Sequence, residues 1–364
     1  MPLDSSTTVI TVGLGDRSYP IAAGAGLLSQ IGSMAREAGF HSPVPVITDD
    51  TVAPLYAETV RHSLEEAGYT AFVLSFPAGE PSKNLETMAR LYDGLVERRV
   101  ERKSGLVALG GGVVGDVAGF AAATYLRGIP FIQVPTTLLA QVDAAVGGKV
   151  GIDHAKGKNL IGAFYQPKAV VIDTRTLHTL PLRQLRAGLA EIIKHGVIRD
   201  EALFQKVGRS LTPLLTVDEA LYQEIIPWNC RIKARVVEED EKESGLRAIL
   251  NFGHTVGHAI EALTGYNTYL HGEAVALGML VEARLGQRLG LTPASVIDAL
   301  HDLLQQAAFP LEKPDLPSDK LIEAMFLDKK VERGTLRFIL PDAIGHVQIV
   351  PVDDVCALKE AWDH

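Results

Sequence analysis

Cysteine is nearly absent: Cys230 and Cys356 are the two in 364 residues, and neither sits in a Cys-x-x-Cys pair. That excludes a disulfide framework and a dithiol redox motif, and free thiols in a reducing compartment are the expectation. Apolar runs long enough to cross a bilayer are also missing. The opening Met1-Pro2-Leu3-Asp4-Ser5-Ser6 has neither a basic n-region with an apolar core nor an Arg-rich amphipathic stretch. No export or organelle signal is therefore expected, and the expected location is cytoplasmic. Positive charge is in deficit, with a net charge of −9, which weighs against nucleic acid or an acidic membrane as a partner. An anionic small molecule stays compatible with this balance if its site is a local basic cluster. There is no internal repeat and no low-complexity linker.

What is present suits two domains. Hydrophobic residues make up 47% of the chain and charged residues 22%, enough for full cores and too few charges for disorder. Val44–Thr48, Ala71–Phe76, Gly105–Leu109, Phe131–Val134 and Ala169–Ile172 read as strands, several of them continuously apolar as in a buried parallel sheet. Helical stretches such as Asn84–Val100 and Val113–Leu126 alternate with them, which predicts an α/β architecture with right-handed crossovers. Thr8–Val12 and Tyr19–Ala22 read as a hairpin laid on a sheet edge. After about Pro181 long helical patterns dominate: Leu182–Ile198, Leu221–Glu239, Ala248–Leu263, Gly272–Leu289 and Pro293–Ala307. A late β-like pair, Leu336–Leu340 and Val347–Val350, follows. The expectation is a Rossmann-like α/β domain over 1–180 and a mostly helical domain over 181–364.

Leu106-Val107-Ala108-Leu109 runs into Gly110-Gly111-Gly112-Val113-Val114-Gly115-Asp116, a Gly-x-Gly-x-x-Gly spacing between strand and helix. Such a turn brings backbone N–H groups and a helix N-terminus against a pyrophosphate. The fingerprint is incomplete, because Phe131–Val134 leads into Pro135-Thr136-Thr137 with no acid to hold a ribose hydroxyl. A tight glycine turn in any α/β protein would read the same. Polar residues at other strand ends, Asp49 after Val46-Ile47-Thr48 and Glu80 to Lys83 after the next strand, suit a ligand crevice, although helix capping explains each one singly. Further on, Asp143 precedes Gly147-Gly148-Lys149, and Lys156-Gly157-Lys158-Asn159 follows. Glycine steps that let the backbone turn, with Lys149, Lys158 and Asn159 as donors, suit a phosphate or carboxylate; a solvated loop is the plain alternative.

Three stretches of the second half carry candidate metal ligands: Glu191 with Lys194 and His195 on an apolar-periodic helix, His254 with His258, and His271 next to Glu273. One carboxylate and two imidazoles with an open position make a catalytic zinc site. His254 and His258 are at i, i+4 but have Thr255 where His-Glu-x-x-His has its base, so protease chemistry is not supported. Spacing alone leaves open which two of His254, His258 and His271 would bind.

Taken in order, Gly110-Gly-Gly-Val-Val-Gly-Asp116, Gln133-Val-Pro-Thr-Thr137, Gly148-Lys149, Lys158-Asn159, Glu191-Ile-Ile-Lys194, Leu250-Asn-Phe-Gly-His-Thr-Val-Gly-His258 and His271-Gly-Glu-Ala274 resemble the motif series of the 3-dehydroquinate synthases, from about Thr48 to Lys330. The resemblance implies zinc, with cobalt as an alternative, on Glu191, His254 and His271. It implies NAD against Asp49, Glu80, Lys83, Gly111, Gly112, Gly115, Asp116, Thr136, Thr137, Asp143, Lys149, Lys158 and the segment Thr176, Leu177, His178 and Thr179. Substrate contacts carry over to Lys149, Asn159, Lys194, Lys233, Arg247, Asn251, His258 and one of Lys329 and Lys330. Arg127, in Tyr125-Leu-Arg-Gly128, resembles an arginine that reaches a neighbouring subunit, so a homodimer is implied. Thr51 departs from the asparagine of relatives near the adenosine, which puts one cofactor contact in doubt.

The implied reaction converts 3-deoxy-D-arabino-heptulosonate 7-phosphate to 3-dehydroquinate and phosphate. It proceeds by transient NAD oxidation, phosphate elimination, re-reduction, ring opening and intramolecular aldol closure. Three rivals stand beside it. A zinc-dependent polyol or glycerol dehydrogenase would produce net NADH and would not need Lys149, Lys158, Lys194 and Arg247 together. Another sugar-phosphate cyclase is nearer, but Asn251, His258 and Lys233 fit the dehydroquinate pattern. A non-catalytic NAD-sensing protein would have no use for the metal ligands and the basic cluster.

Overall fold

The computed structural model describes residues 7–266, 268–327 and 336–363. The chain divides into two compact units, Met1–Leu180 with Glu219–Glu238, and Pro181–Asp218 with Glu239–His364.

The first unit is built on a seven-stranded sheet. Its strands are β1 (Thr8–Val12), β2 (Tyr19–Gly24), β3 (Val44–Asp49), β4 (Ala71–Phe76), β5 (Leu106–Gly110), β6 (Phe131–Pro135) and, after a separate hairpin of β7 (Lys149–His154) and β8 (Gly157–Phe164), β9 (Ala169–Asp173). The order is β1-β2-β9-β6-β5-β3-β4. Every pair from β2 to β4 is parallel, and β1 alone runs antiparallel at the edge. Continuous apolar strands suit this arrangement because both faces are covered. Val46, Val107, Val134 and Val171 join a core with Ile31, Val60 and Leu64. Ile47, Ala108 and Phe131 point the other way, into a core with Met88, Leu91, Val117 and Ala121. The α/β expectation holds, including the N-terminal hairpin on the edge.

From β3 the chain moves outward to β4 and then returns to place β5 on the opposite side of β3. Strand order therefore reverses between β3 and β5, and the crossovers there leave from their C-terminal ends in opposite directions. That splits the loops and opens a crevice. Asp49 ends β3 and Gly110 ends β5, so the topology makes this edge the natural ligand position.

The second unit is mostly helical. Leu182–Arg199, Glu201–Arg209, His254–Leu263, His271–Arg288, Ala294–Gln306 and Val355–Asp363 are joined by a hairpin of β10 (Leu336–Ala343) and β11 (His346–Val352). Val256, Ile260, Leu277, Val281, Phe338 and Trp362 share its core. The His271–Arg288 helix is buried along most of its length, and small residues let its neighbours approach closely. A Cβ at Gly278 would stand 2.0 Å from the Gly253 carbonyl oxygen, and one at Gly272 2.0 Å from that of Ala187. Among the described residues no helix is long and apolar enough to cross a membrane.

Two expectations need revision. The lysine-rich segment is a hairpin rather than a loop. Val150 and Ile152 are buried against the glycine-loop helix, while Gly151 hides the alternation that would have marked the strand. The stretch Ala248–Leu263 is not one helix: a short 3-10 turn at Leu246–Asn251 ends, and a new helix begins at His254. Gly253 sits between them at φ +78°, with a Cβ position only 2.6 Å from Met279 Cγ and the Val275 carbonyl oxygen. Only glycine meets both conditions.

Candidate active site

Glu191 lies midway along the buried Leu182–Arg199 helix and is fully inaccessible. Its Oε1 stands 3.6 Å from His271 Nε2 and 3.9 Å from His254 Nε2. Neither oxygen has a hydrogen-bond partner; Oε2 has only an ion pair, with Lys194 Nζ one turn further along the helix. One donor atom from each of Glu191, His254 and His271 falls within 4.8 Å of the others. The tautomers follow from the neighbours. His254 Nδ1 is 3.1 Å from the Phe252 carbonyl oxygen, which only accepts, so Nδ1 carries the proton and Nε2 keeps its lone pair toward Glu191. His271 Nδ1 is 3.2 Å from Glu261 Oε2, with the same result. An orphaned buried carboxylate facing two imidazole lone pairs fits a divalent metal such as zinc.

His258 joins the same cluster of rings, with centroids 5.4 Å from His254 and 5.9 Å from His271. Its metal-type grouping is a different one, with Glu261 and His271. Burial would lower the pKa of His271, but the charge and hydrogen bond of Glu261, with Glu191 beyond, hold it above its ordinary value. In the same unit Arg247 is 1% exposed, Lys194 equally so, and Asn251 donates to Glu243 Oε1 at 2.8 Å. Lys194 pairs with Glu191 and Arg247 donates to the Glu241 carbonyl oxygen, so two buried cations are gathered on one unit of an acidic chain. Lys329 and Lys330 lie outside the described residues.

In the first unit, the 13-residue Gly112–Thr124 helix starts where β5 ends, with Gly111 at its N-cap. Gly110, Gly111, Gly112, Gly115, Gln133 and Pro135 line a recess there. A Cβ at Gly115 would come within 2.9 Å of Gln133 Oε1, and one at Gly111 within 3.1 Å of Thr137 Cγ2. The hydroxyls of Thr48 and Thr136, at the ends of β3 and β6, are buried without a protein partner. Free backbone amides at a helix start beside orphaned hydroxyls fit a pyrophosphate-containing cofactor.

Other expected residues meet each other directly. Lys83 Nζ donates to Asp116 Oδ2 at 2.6 Å and also to Asn159 Oδ1. Burial lowers the Lys83 pKa, but Asp116, Glu80 and Asp153 outweigh it and keep the ammonium above its usual range. Lys158 pairs with Glu80 at 3.3 Å, and Lys233 with Asp143 Oδ1 at 2.6 Å. The Thr174–Thr179 turn follows β9. Thr176 Oγ1 there takes a 2.9 Å hydrogen bond from Gln141, Leu177 is buried, Thr179 bonds the Tyr56 hydroxyl, and His178 Nε2 lies 3.5 Å from Glu219. Asp49 has a local task as well: its Oδ1 accepts from the Thr51 and Val52 amides at 2.9 Å each, the capping role its position allowed. Lys149 is exposed at the start of β7, set there by Gly147 and Gly148, both at positive φ. Arg127 is exposed, at φ +68°. Cys230 is buried and its thiol is pushed up to about 12, so it packs rather than reacts.

Sequence reasoning missed four carboxylates. Glu261 meets His271, and Glu243 meets Asn251. Asp240 ties down the loop before Arg247, and Glu282 accepts from the Gly253 amide at 2.9 Å beside His254. The one available signal was Glu261, three residues after His258 on the same helix face.

Residues 73–187 match the family described as 3-dehydroquinate synthase N-terminal, and residues 188–331 the one described as 3-dehydroquinate synthase C-terminal. The chain is 53% identical over 346 residues to the 3-dehydroquinate synthase of Geobacter metallireducens, covering 95% of this chain and 96% of that one. It is 51% identical to that of Desulforamulus reducens, covering 93% and 95%. Among solved structures, a 2-deoxy-scyllo-inosose synthase complexed with carbaglucose-6-phosphate, NAD+ and Co2+ is similar at a TM-score of 0.88 and 28% identity, over 97% of this chain and 100% of that one. The glycerol dehydrogenase of Schizosaccharomyces pombe shares the fold at a TM-score of 0.67 and 17% identity, over 94% of this chain and 88% of that one. Motif order, fold and sequence identity over nearly the whole length agree: the chain is an enzyme of the 3-dehydroquinate synthase family.

Proposed function

We propose that this chain is a NAD- and metal-dependent carbon–oxygen lyase that converts 3-deoxy-D-arabino-heptulosonate 7-phosphate to 3-dehydroquinate and phosphate, as a cytoplasmic homodimer. The observation that carries the reading is the buried Glu191 carboxylate, facing two imidazole Nε2 atoms and in contact with the buried Lys194 ammonium. A metal ligand set accounts for the first three groups. The ammonium, with Arg247, adds positive charge that suits a substrate that is itself an anion.

When bound, NAD would supply reversible hydride transfer within one turnover, and zinc or cobalt, held by Glu191, His254 and His271, would lower the pKa of the hydroxyl to be oxidised. The segment 1–180 holds the dinucleotide, with Gly111, Gly112 and Gly115 leaving room for its pyrophosphate at the helix start. Asp49, Glu80, Lys83, Asp116, Thr136, Thr137, Asp143, Lys149, Lys158 and the Thr176–Thr179 turn surround it. The segment 181–364 holds the metal. Lys149, Lys194, Lys233 and Arg247 bind and orient the substrate's carboxylate and phosphate, Asn159 and Asn251 its hydroxyls, and one of Lys329 and Lys330 adds a further contact. His258 stands near the phosphate. These residues act by placement and by charge opposite the developing anions.

A polyol or glycerol dehydrogenase shares the fold, but a neutral alcohol would not need Lys149, Lys158, Lys194 and Arg247 together. The test is to incubate metal-loaded protein with the heptulosonate phosphate and a trace of NAD+, following phosphate and NADH together. Phosphate far in excess of the NAD+ supplied, with no lasting NADH, is the expected result. NADH accumulating without phosphate would overturn the reading in favour of a dehydrogenase.

A further inference from the structure

Glu261 is a buried carboxylate, 4% exposed, outside both the ligand trio and the substrate set. It sits one turn after His258 on the His254–Leu263 helix. Its Oε2 lies 3.2 Å from His271 Nδ1. The opposite ring nitrogen of that imidazole, Nε2, faces Glu191 Oε1 at 3.6 Å. His254 has its own Nδ1 partner in the Phe252 carbonyl at 3.1 Å. The two imidazoles are thus fixed by different means. A backbone carbonyl needs no particular side chain, whereas the hold on His271 rests on one charged residue. An ionised carboxylate behind a ligand imidazole fixes the ring, sets its tautomer and makes the far nitrogen a stronger donor.

We infer that Glu261 is a positioning residue for the metal: its carboxylate locks His271 with Nε2 toward the ion and strengthens that donor, so metal affinity depends on it. The inference rests on the reading of Glu191, His254 and His271 as a metal site. It concerns a residue that touches neither the ion nor the substrate in that reading.

The experiment uses the full chain, stripped of metal by a chelator and then titrated with Co2+ against a competing chromogenic chelator in the presence of NAD. Wild type, Glu261→Gln and Glu261→Ala are compared for affinity and for the visible absorption of the bound cobalt. Wild type is expected to take one ion per chain. Glu261→Gln keeps the volume and an accepting oxygen but loses the charge, and should bind about tenfold more weakly; Glu261→Ala should bind about a hundredfold more weakly, with an altered cobalt spectrum. A role in packing alone would leave the isosteric glutamine at wild-type affinity, and that result would overturn the inference while leaving the metal site standing. Uptake of two ions per chain would also overturn it. Glu261 would then be a ligand in its own right, since one donor atom from each of His258, Glu261 and His271 also lies within 4.8 Å of the others. If wild type takes up no cobalt at all, the metal-site reading itself falls, and the inference falls with it.

Discussion

At the scale of single residues, the second unit has a carboxylate that makes little sense alone. Burying an ionised Glu191 without hydrogen bonds is expensive, and one ammonium in contact does not satisfy both oxygens. A divalent ion held by it and the two imidazoles would remove the penalty. Glu191→Ala should therefore leave a folded chain that neither retains zinc after gel filtration nor turns over substrate, as metal analysis and a phosphate-release assay would show. Full zinc occupancy in that variant would sink the assignment. The residue scale is also where resemblance and spacing differ in power. Spacing left three histidines eligible. The distances from His254 and His271 to Glu191 arise from three separate helices, and no interval along the chain encodes them.

At the scale of elements, the loop between Glu239 and the His254 helix is organised by one side chain. Asp240 accepts from the amides of Ser244, Gly245 and Arg247 at 2.8, 2.7 and 3.0 Å, and from the Ser244 hydroxyl at 2.9 Å. Burial would raise its pKa, but these bonds outweigh it and bring the carboxyl down to about 2. The folded value lies below the unfolded one, so the stabilisation is fully present above about pH 4 and disappears as pH falls through the folded pKa. The size of the depression corresponds to about 2 kcal/mol. Asp240→Asn should lower unfolding stability by about that amount at pH 7, and the gap to wild type should close near pH 2 in urea titrations. A constant gap across that range would show that the carboxylate charge is not what holds the loop. The same element scale explains the broken helix at Gly253: helical periodicity continued through the break, and only the proximity of the His271–Arg288 helix required a glycine at positive φ there.

At the scale of the whole molecule, the proposed dimer gives a test that single variants cannot. Arg127 is exposed on a turn whose residues Leu126, Arg127 and Gly128 all have positive φ, a strained presentation that suits contact with something outside the chain. Arg127→Ala and Lys149→Ala should each be inactive as pure proteins. If Arg127 completes the partner's site, refolding an equal mixture restores one intact site in each mixed dimer, about a quarter of wild-type activity. No recovery would place Arg127 in its own chain's site or outside any site.

Much of the fold was determined locally. Continuous valine, isoleucine and leucine runs between amphipathic stretches dictate a parallel sheet covered on both faces, and the glycine run after Leu109 marks a strand-to-helix turn because glycine lets the backbone bend sharply and approach a neighbour closely. The motif series, read in order, carried the family. Tertiary structure decided what depends on distance between elements: which histidines face Glu191, that Lys83 meets both Asp116 and Asn159, and that Lys149 begins a strand. Its buried carboxylates Asp240, Glu261 and Glu282 could not be recognised beforehand, because a glutamate that holds a histidine or an amide looks along the chain like any surface acid. Sequence encodes a residue's neighbours on its own helix or strand; partners across helices exist only once the core has packed.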